Sequence, residues 1–261
     1  MIRKKIHFVI DKTSKALAAK KILLKKYKSY YPKQSDVIVV VGGDGFMLEI
    51  LKRYQKYNKP FYGLNRGTFG FLMNAYKTKK IDNIINNAKS VTIAALEMLA
   101  VTKNNIKKKS IAINEVSLLR QSKQTASLQI SIDKKVLIKN LLCDGVLVST
   151  PAGSTAYNLS AKGPILSLDS KKLTITSISP FRPRGWIGKI VKSSSIIKIK
   201  NLNIKKRPVS IVADNVEVRN MRSVVVKINK RVKFKLLYDP NASLAKKIKL
   251  EQFKNKSRIS Y

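Results

Sequence analysis

The sequence predicts an α/β N-terminal domain, a small doubly wound parallel sheet, joined to an all-β C-terminal domain. Three observations carry that prediction. Over residues 1–90 short apolar runs alternate with helical patterns, and over 91–239 the helical period nearly vanishes while β-branched runs follow one another. Glycine-rich stretches also stand directly after strand-like runs, as in open α/β sheets. The 261 residues leave room for two cores.

The elements follow in order. In the first region the strands are KIHFVI, DVIVVV and PFYGLN, and the helices SKALAAKKILLKKYKSY, FMLEILKRYQKY and IDNIINNAK. In the second the strands are SIAINEVSLL, ASLQISI, LTITSIS, SIIKIKNL, PVSIVA, SVVVKIN and VKFKLLY. Beyond them, NASLAKKIKLEQF predicts a terminal helix within 240–261 that packs back on the first domain. Ser243 is its N-cap, Leu244 and Ile248 stand four apart, and Leu250 and Phe253 three apart.

Composition excludes several classes of function. Cys143 is the single cysteine and His7 the single histidine, which rules out a disulfide framework, a Cys-rich zinc site and a Ser-His-Asp triad. No apolar run approaches the roughly 18 to 20 residues that span a bilayer. IHFVI, soon interrupted by Asp11 and Lys12, is too short for a signal-peptide core. A cytoplasmic protein without membrane contact is expected. Lys and Arg number 54 against 14 Asp and Glu, a net charge of +40. The lysines are spread along the whole chain among isoleucines and asparagines, with no basic tail and no regular aromatics. That distribution predicts a solvated surface with weak polyanion affinity and no specific nucleic-acid partner, and its field favours a phosphate-rich small substrate.

Four stretches carry chemistry. Gly42-Gly43-Asp44-Gly45 ends an apolar strand and opens a helix, where backbone N–H groups and close approach suit a phosphate. Asp44 either caps that helix or, with a glycine on each side, projects its carboxylate toward a ligand and takes the proton of a hydroxyl attacking a phosphate. Asn65, Gly67 and Gly70 form a second loop after a strand, either a plain turn or a second phosphate loop on the same sheet edge. Asn114-Glu115 lies inside an otherwise apolar strand, so it is a bulge, an edge, or a polar pair reaching into a site, with a ribose diol a natural partner for Glu115. Asp144-Gly145 precedes an apolar run that ends in STPAGSTAYNLSA, a turn crowded with hydroxyls whose small residues admit a flat ring.

In order and spacing these motifs resemble those of bacterial NAD kinases, and the likeness covers most of the chain. STPAGSTAYNLSA is the specific part, whereas G-G-D-G also occurs in diacylglycerol kinases, sphingosine kinases and phosphofructokinases. The resemblance implies ATP-dependent phosphorylation of the adenosine 2′-hydroxyl of NAD to give NADP, by a homodimer or homotetramer, with Mg²⁺ carried on the ATP phosphates and no metal held by protein ligands. It implies Asp44 as general base and Gly42, Gly43, Asn65, Gly67 and Gly70 as phosphate-loop residues. It also implies substrate contacts from Gly45, Asn114, Glu115, Asp144, Thr155, Ala156, Tyr157, Ser160 and Asn215. The chain departs from the pattern at Phe46, where many members have a small polar residue, and at Lys162, which interrupts the usual Gly-Gly. The rival readings are a lipid kinase of the same superfamily and a basic nucleotide- or RNA-binding protein on a kinase fold.

Overall fold

The computed structural model describes residues 4–68 and 70–240. The helix expected within 240–261 lies outside the described residues. Two compact units are present: residues through Thr92 together with the strand end from Phe234, and Ile93–Lys233.

The first unit contains β1 (Ile6–Ile10), α1 (Ser14–Lys26), β2 (Val37–Gly42), α2 (Asp44–Tyr54), β3 (Phe61–Asn65) and α3 (Ile81–Asn86). Its strands pair in parallel in the order β1-β2-β3, and Leu236 and Leu237 pair in parallel with Phe61 and Tyr62. The β2 run VIVVVG is buried throughout, as a strand covered on both faces requires. Val37, Val39 and Val41 share a core with Ala16, Ala19 and Leu23 of α1 and Ile81 and Ile85 of α3. The opposite face carries Val40 and its partner Gly63, and a Cβ at Gly63 would stand 2.7 Å from Met47 Cε of α2. Helices therefore cover both faces. Helix α1 starts where Thr13 Oγ1 accepts the Ala16 N–H at 3.4 Å, and it ends at Lys26, before the extended Tyr27 and four residues short of Tyr30, where the expected helix ended.

The second unit is built from strands. β4 (Lys89–Thr102) runs into it, followed by β5 (Lys107–Ala112), β6 (Glu115–Arg120), β7 (Ala126–Ile132), β8 (Lys135–Cys143) and β9 (Gly145–Ser149). After the one-turn helix α4 (Tyr157–Ser160) come β10 (Lys172–Ile178), β11 (Gly188–Lys192), β12 (Ile197–Asn201), β13 (Val209–Ala213), β14 (Val216–Val218) and β15 (Met221–Tyr238). One sheet runs β11-β10-β9-β6-β13-β14. In the other, β15, β12, β7 and β8 are neighbours in that order, and β4 pairs with both β15 and β5. Leu118, Val146, Val148, Ile175 and Ile211 from the first sheet meet Leu128, Ile130, Ile197, Ile199, Val224 and Val226 from the second in a single core.

Three departures from the sequence expectations have local causes. SVVVKIN and VKFKLLY are one strand, β15, because the polar residues between them remain extended. The run SIAINEVSLL is two strands: β5 ends at Ala112 and β6 begins at Glu115. Asn114 therefore sits at the corner where the chain leaves one sheet for the other, not inside a strand, and its backbone must find partners outside a ladder. β4, which opens on the exposed Lys89 and Ser90, and β8, which carries Lys135, Lys139 and Asn140 at exposed positions, were not among the expected strands.

Candidate functional site

In the first unit the two glycine loops are one structure. Asn65 Oδ1 accepts the Gly67 N–H at 2.9 Å, the Asx turn expected of that residue, and the Arg66 N–H reaches the Gly42 carbonyl at 2.8 Å. A Cβ at Gly67 would stand 3.1 Å from the Gly43 Cα, so the backbones approach more closely than side chains would allow. Gly70 is packed against Met73, whereas Gly45 faces open space. Gly42 is backed by the Phe46 ring, the aromatic that departs from the family pattern.

Asp44 is the first residue of α2, whose N-cap is Gly43. Oδ2 accepts the Phe71 N–H at 2.7 Å and Oδ1 the Leu72 N–H at 3.1 Å. Two backbone donors therefore fix the orientation of the carboxylate. Burial first, and then the Asp44 charge, push the Tyr238 phenol well above its ordinary range. Nothing in the sequence signalled that neighbour.

The second unit holds the other candidate residues. The corner Ile113–Glu115 is stitched from two sides. Asp214, in the turn between β13 and β14, accepts N–H groups from Ile113 at 2.7 Å, Asn114 at 2.9 Å and Glu115 at 3.4 Å. Thr150 Oγ1 donates to the Ile113 carbonyl at 2.7 Å, and the Thr150 N–H donates to the Asn114 carbonyl at 2.9 Å. Gly153 lies flat against the Asn114 backbone, which any Cβ would strike. Asn114 Oδ1 and Glu115 Oε2 are buried with no hydrogen-bond partner among the described residues. Burial first, and then the Asp214 charge, push the Glu115 carboxyl up to about 7.

The hydroxyl-rich turn is held by a residue the sequence reading passed over. Asn158 is fully buried, donates to the Ser154 and Pro164 carbonyls at 3.1 and 2.9 Å, and accepts from the Thr174 and Thr176 hydroxyls at 2.9 and 2.6 Å. Tyr157 is thereby left partly exposed on a rigid turn. Burial first, and then the charges of Glu115 and Asp144, push its phenol up, which puts the three groups in one neighbourhood. Thr155 is buried, Ser160 exposed, and Asn215 exposed beside Asp214. Asp144 is ion-paired with Arg120 at 2.6 Å, a partner 24 residues away that no spacing rule signals. Lys162, where the family pattern has glycine, takes φ 61°, the left-handed region that glycine favours. Burial pushes the Cys143 thiol up to about 12, so it is protonated and inert. Among the described residues no group of three or more His, Cys, Asp and Glu could hold a metal, and no helix is long and apolar enough to cross a membrane.

Comparison with known proteins agrees along the chain. Residues 5–91 match the ATP-NAD kinase N-terminal domain, and residues 113–237 the ATP-NAD kinase C-terminal domain. An NAD kinase of Brucella suis is 44% identical over 250 residues, covering 96% of this chain and 97% of the relative. One of Mesorhizobium japonicum is 45% identical, covering 95% and 97%. Among solved structures, the fold matches yeast NADH kinase complexed with NADH at a TM-score of 0.72 and 24% identity, covering 88% of this chain and 74% of that one. It also matches an NAD kinase from Archaeoglobus fulgidus in complex with ATP at 0.70 and 21%, covering 90% and 94%.

Proposed function

We propose, from the premise that the chain belongs to the ATP-NAD kinase family, that Asp44 is the general base of phosphoryl transfer to NAD. The reaction is ATP-dependent phosphorylation of NAD at the adenosine 2′-hydroxyl. Asp44 takes the hydroxyl proton as the new P–O bond forms, and the bond from the γ-phosphorus to the bridging oxygen breaks to release ADP, in line and without a phosphoenzyme. The observation that carries this reading is a carboxylate oriented by two backbone amides at 2.7 and 3.1 Å, beside a loop whose glycines leave the backbone accessible.

Backbone N–H groups at Gly42, Gly43 and Gly70 donate to phosphate oxygens, while Asn65 holds the Gly67 N–H and shapes the turn that lets Gly67 lie close against Gly43. In the second unit Asn114 Oδ1 and Glu115 Oε2, buried and without partners, accept from an adenine amino group and ribose hydroxyls. Asp144, Thr155, Ala156, Tyr157, Ser160, Gly45 and Asn215 complete the substrate contacts. Mg²⁺ arrives as part of the donor Mg-ATP, since hard oxygen ligands on the phosphates suit it and few carboxylates are at hand. The protein works in the cytoplasm as a homodimer or homotetramer. Phe181, Ile187 and Ile190 stand exposed around the edge strand β11, an apolar stretch that a second copy would cover.

The test is direct. Purified protein, Mg-ATP and NAD are incubated and the product read with an NADP-specific dehydrogenase. Absence of NADP at micromolar enzyme would remove the assignment, and sedimentation velocity on the same preparation reads the assembly state.

A further inference from the structure

We propose that Asp214 is the positioning residue of the NAD site, the group that aims Asn114 and Glu115 at the substrate. The inference rests on the reading of those two residues as substrate contacts.

The argument is an accounting of hydrogen bonds at the corner. All six backbone polar groups of residues 113–115 are satisfied. The three N–H groups go to the Asp214 carboxylate, the first two carbonyls accept from Thr150, and the Glu115 carbonyl accepts the Asp214 N–H at 3.2 Å. In the same three residues the side-chain atoms Asn114 Oδ1 and Glu115 Oε2 are buried and have no partner among the described residues. Native interiors rarely leave buried acceptors unmade. A segment whose backbone is fully tied while its side-chain acceptors stay open is built to present those acceptors to something that arrives later.

Asp214 is suited to this beyond its charge. It is the first of two residues between the paired Ala213 and Val216, and it holds φ 51°. That backbone is unfavourable for an ordinary side chain and is tolerated by aspartate better than by most residues. The conformation aims the carboxylate back across the sheet at a corner 99 to 101 residues earlier in the chain. Because N–H groups donate to a charged acceptor, the three bonds are of the stronger kind. A displacement of about 1 Å at a binding group is enough to change turnover by roughly a hundredfold, so an anchor that fixes two contacts at once governs affinity for NAD without touching it.

Asp214→Gly keeps the turn, since glycine accepts that φ, and removes all three acceptor bonds. Asp214→Asn keeps one acceptor oxygen but turns an NH2 donor toward the N–H groups of the corner, so the anchor is weakened and not abolished. With Mg-ATP and NAD varied in turn, we expect Asp214→Gly to raise KM for NAD roughly tenfold or more while KM for ATP stays within about twofold. Asp214→Asn falls between Asp214→Gly and wild type, so the residual acceptor rescues part of the loss. Glu115→Ala is run beside them. If Glu115→Ala raises KM for NAD and Asp214→Gly does not, or if Asp214→Gly raises both KM values alike, the positioning role is overturned while the site assignment stands. If Glu115→Ala itself leaves KM for NAD unchanged, the site assignment fails first. Should the glycine variant not fold, Asp214→Asn carries the same comparison, and an unchanged KM for NAD there overturns the proposal.

Discussion

Asp44 Oδ2 accepts the backbone N–H of Phe71 at 2.7 Å, so the proposed base is also the post to which the second glycine loop is tied. The two roles separate by substitution. Asp44→Asn keeps an oxygen for one amide and loses the proton acceptor. It should lower kcat by roughly 10²- to 10⁴-fold with NAD affinity by calorimetry nearly unchanged. Asp44→Ala additionally strands the Phe71 and Leu72 amides and should lose about 1 to 3 kcal/mol of stability in urea unfolding. A fully active Asp44→Asn would take Asp44 out of the chemistry.

Glu115 links the site to pH. Its carboxyl is pushed from 4.5 up to about 7, by burial first and then by Asp214. The folded protein therefore keeps this proton in a range where the unfolded chain has released it. The resulting stability is fully present below pH 4.5 and is lost as pH rises to about 7. Unfolding free energies of wild type, relative to Glu115→Gln, should fall by on the order of 3 kcal/mol across that window. Parallel pH curves for the two proteins would show that Glu115 is not buried as described.

Gly153 faces the Asn114 backbone, with no room for a Cβ. Gly153→Ala forces the turn and the corner apart and should destabilise by roughly 1 to 3 kcal/mol. KM for NAD should rise with it, since the displaced residue is Asn114. A variant of wild-type stability would mean the two segments separate freely.

Lys162 holds a left-handed backbone at φ 61°. That costs a side-chain-bearing residue about 1 to 2 kcal/mol, while glycine adds about 0.5 to 1 kcal/mol of unfolded-state entropy. Lys162→Gly should therefore raise stability by about 0.5 to 1 kcal/mol, read as a higher midpoint in thermal unfolding. A drop would reveal that the lysine side chain contributes more than its backbone loses.

The charge of +40 predicts two different responses to salt. RNA should bind weakly, without sequence preference, and lose affinity steeply between low and physiological ionic strength, because that binding is counterion release. NAD phosphorylation should change far less over the same titration, since short hydrogen bonds from fixed groups are screened little. Sequence-selective binding that survives salt would make the basic surface a recognition site in its own right.

The glycine loops, the Asn114-Glu115 pair and the STPAGSTAYNLSA turn were all legible in the sequence, because each is a local signal in which turn chemistry and residue type lie within a few positions of one another. The order of strands and helices in the first region was legible for the same reason, as VIVVVG reads as a strand buried on both faces without reference to anything distant. Misplacing Asn114 inside a strand came from hydrophobicity alone, which does not register that β5 and β6 belong to different sheets.

Residue type and short-range pattern were enough for the class of fold, the family motifs and the candidate base, since propensity, capping and turn geometry act over a handful of residues. Tertiary structure decided who holds those groups in place. Asp214 meets Asn114 across 100 positions, Asp44 meets Phe71 across 27, and Asn158 meets Thr176 across 18. Such pairings depend on which strands become neighbours and in what register, and that is settled by burying whole sheet faces, under helices in the first unit and against a second sheet in the other, a choice made by the sum of all their side chains and by no motif of its own.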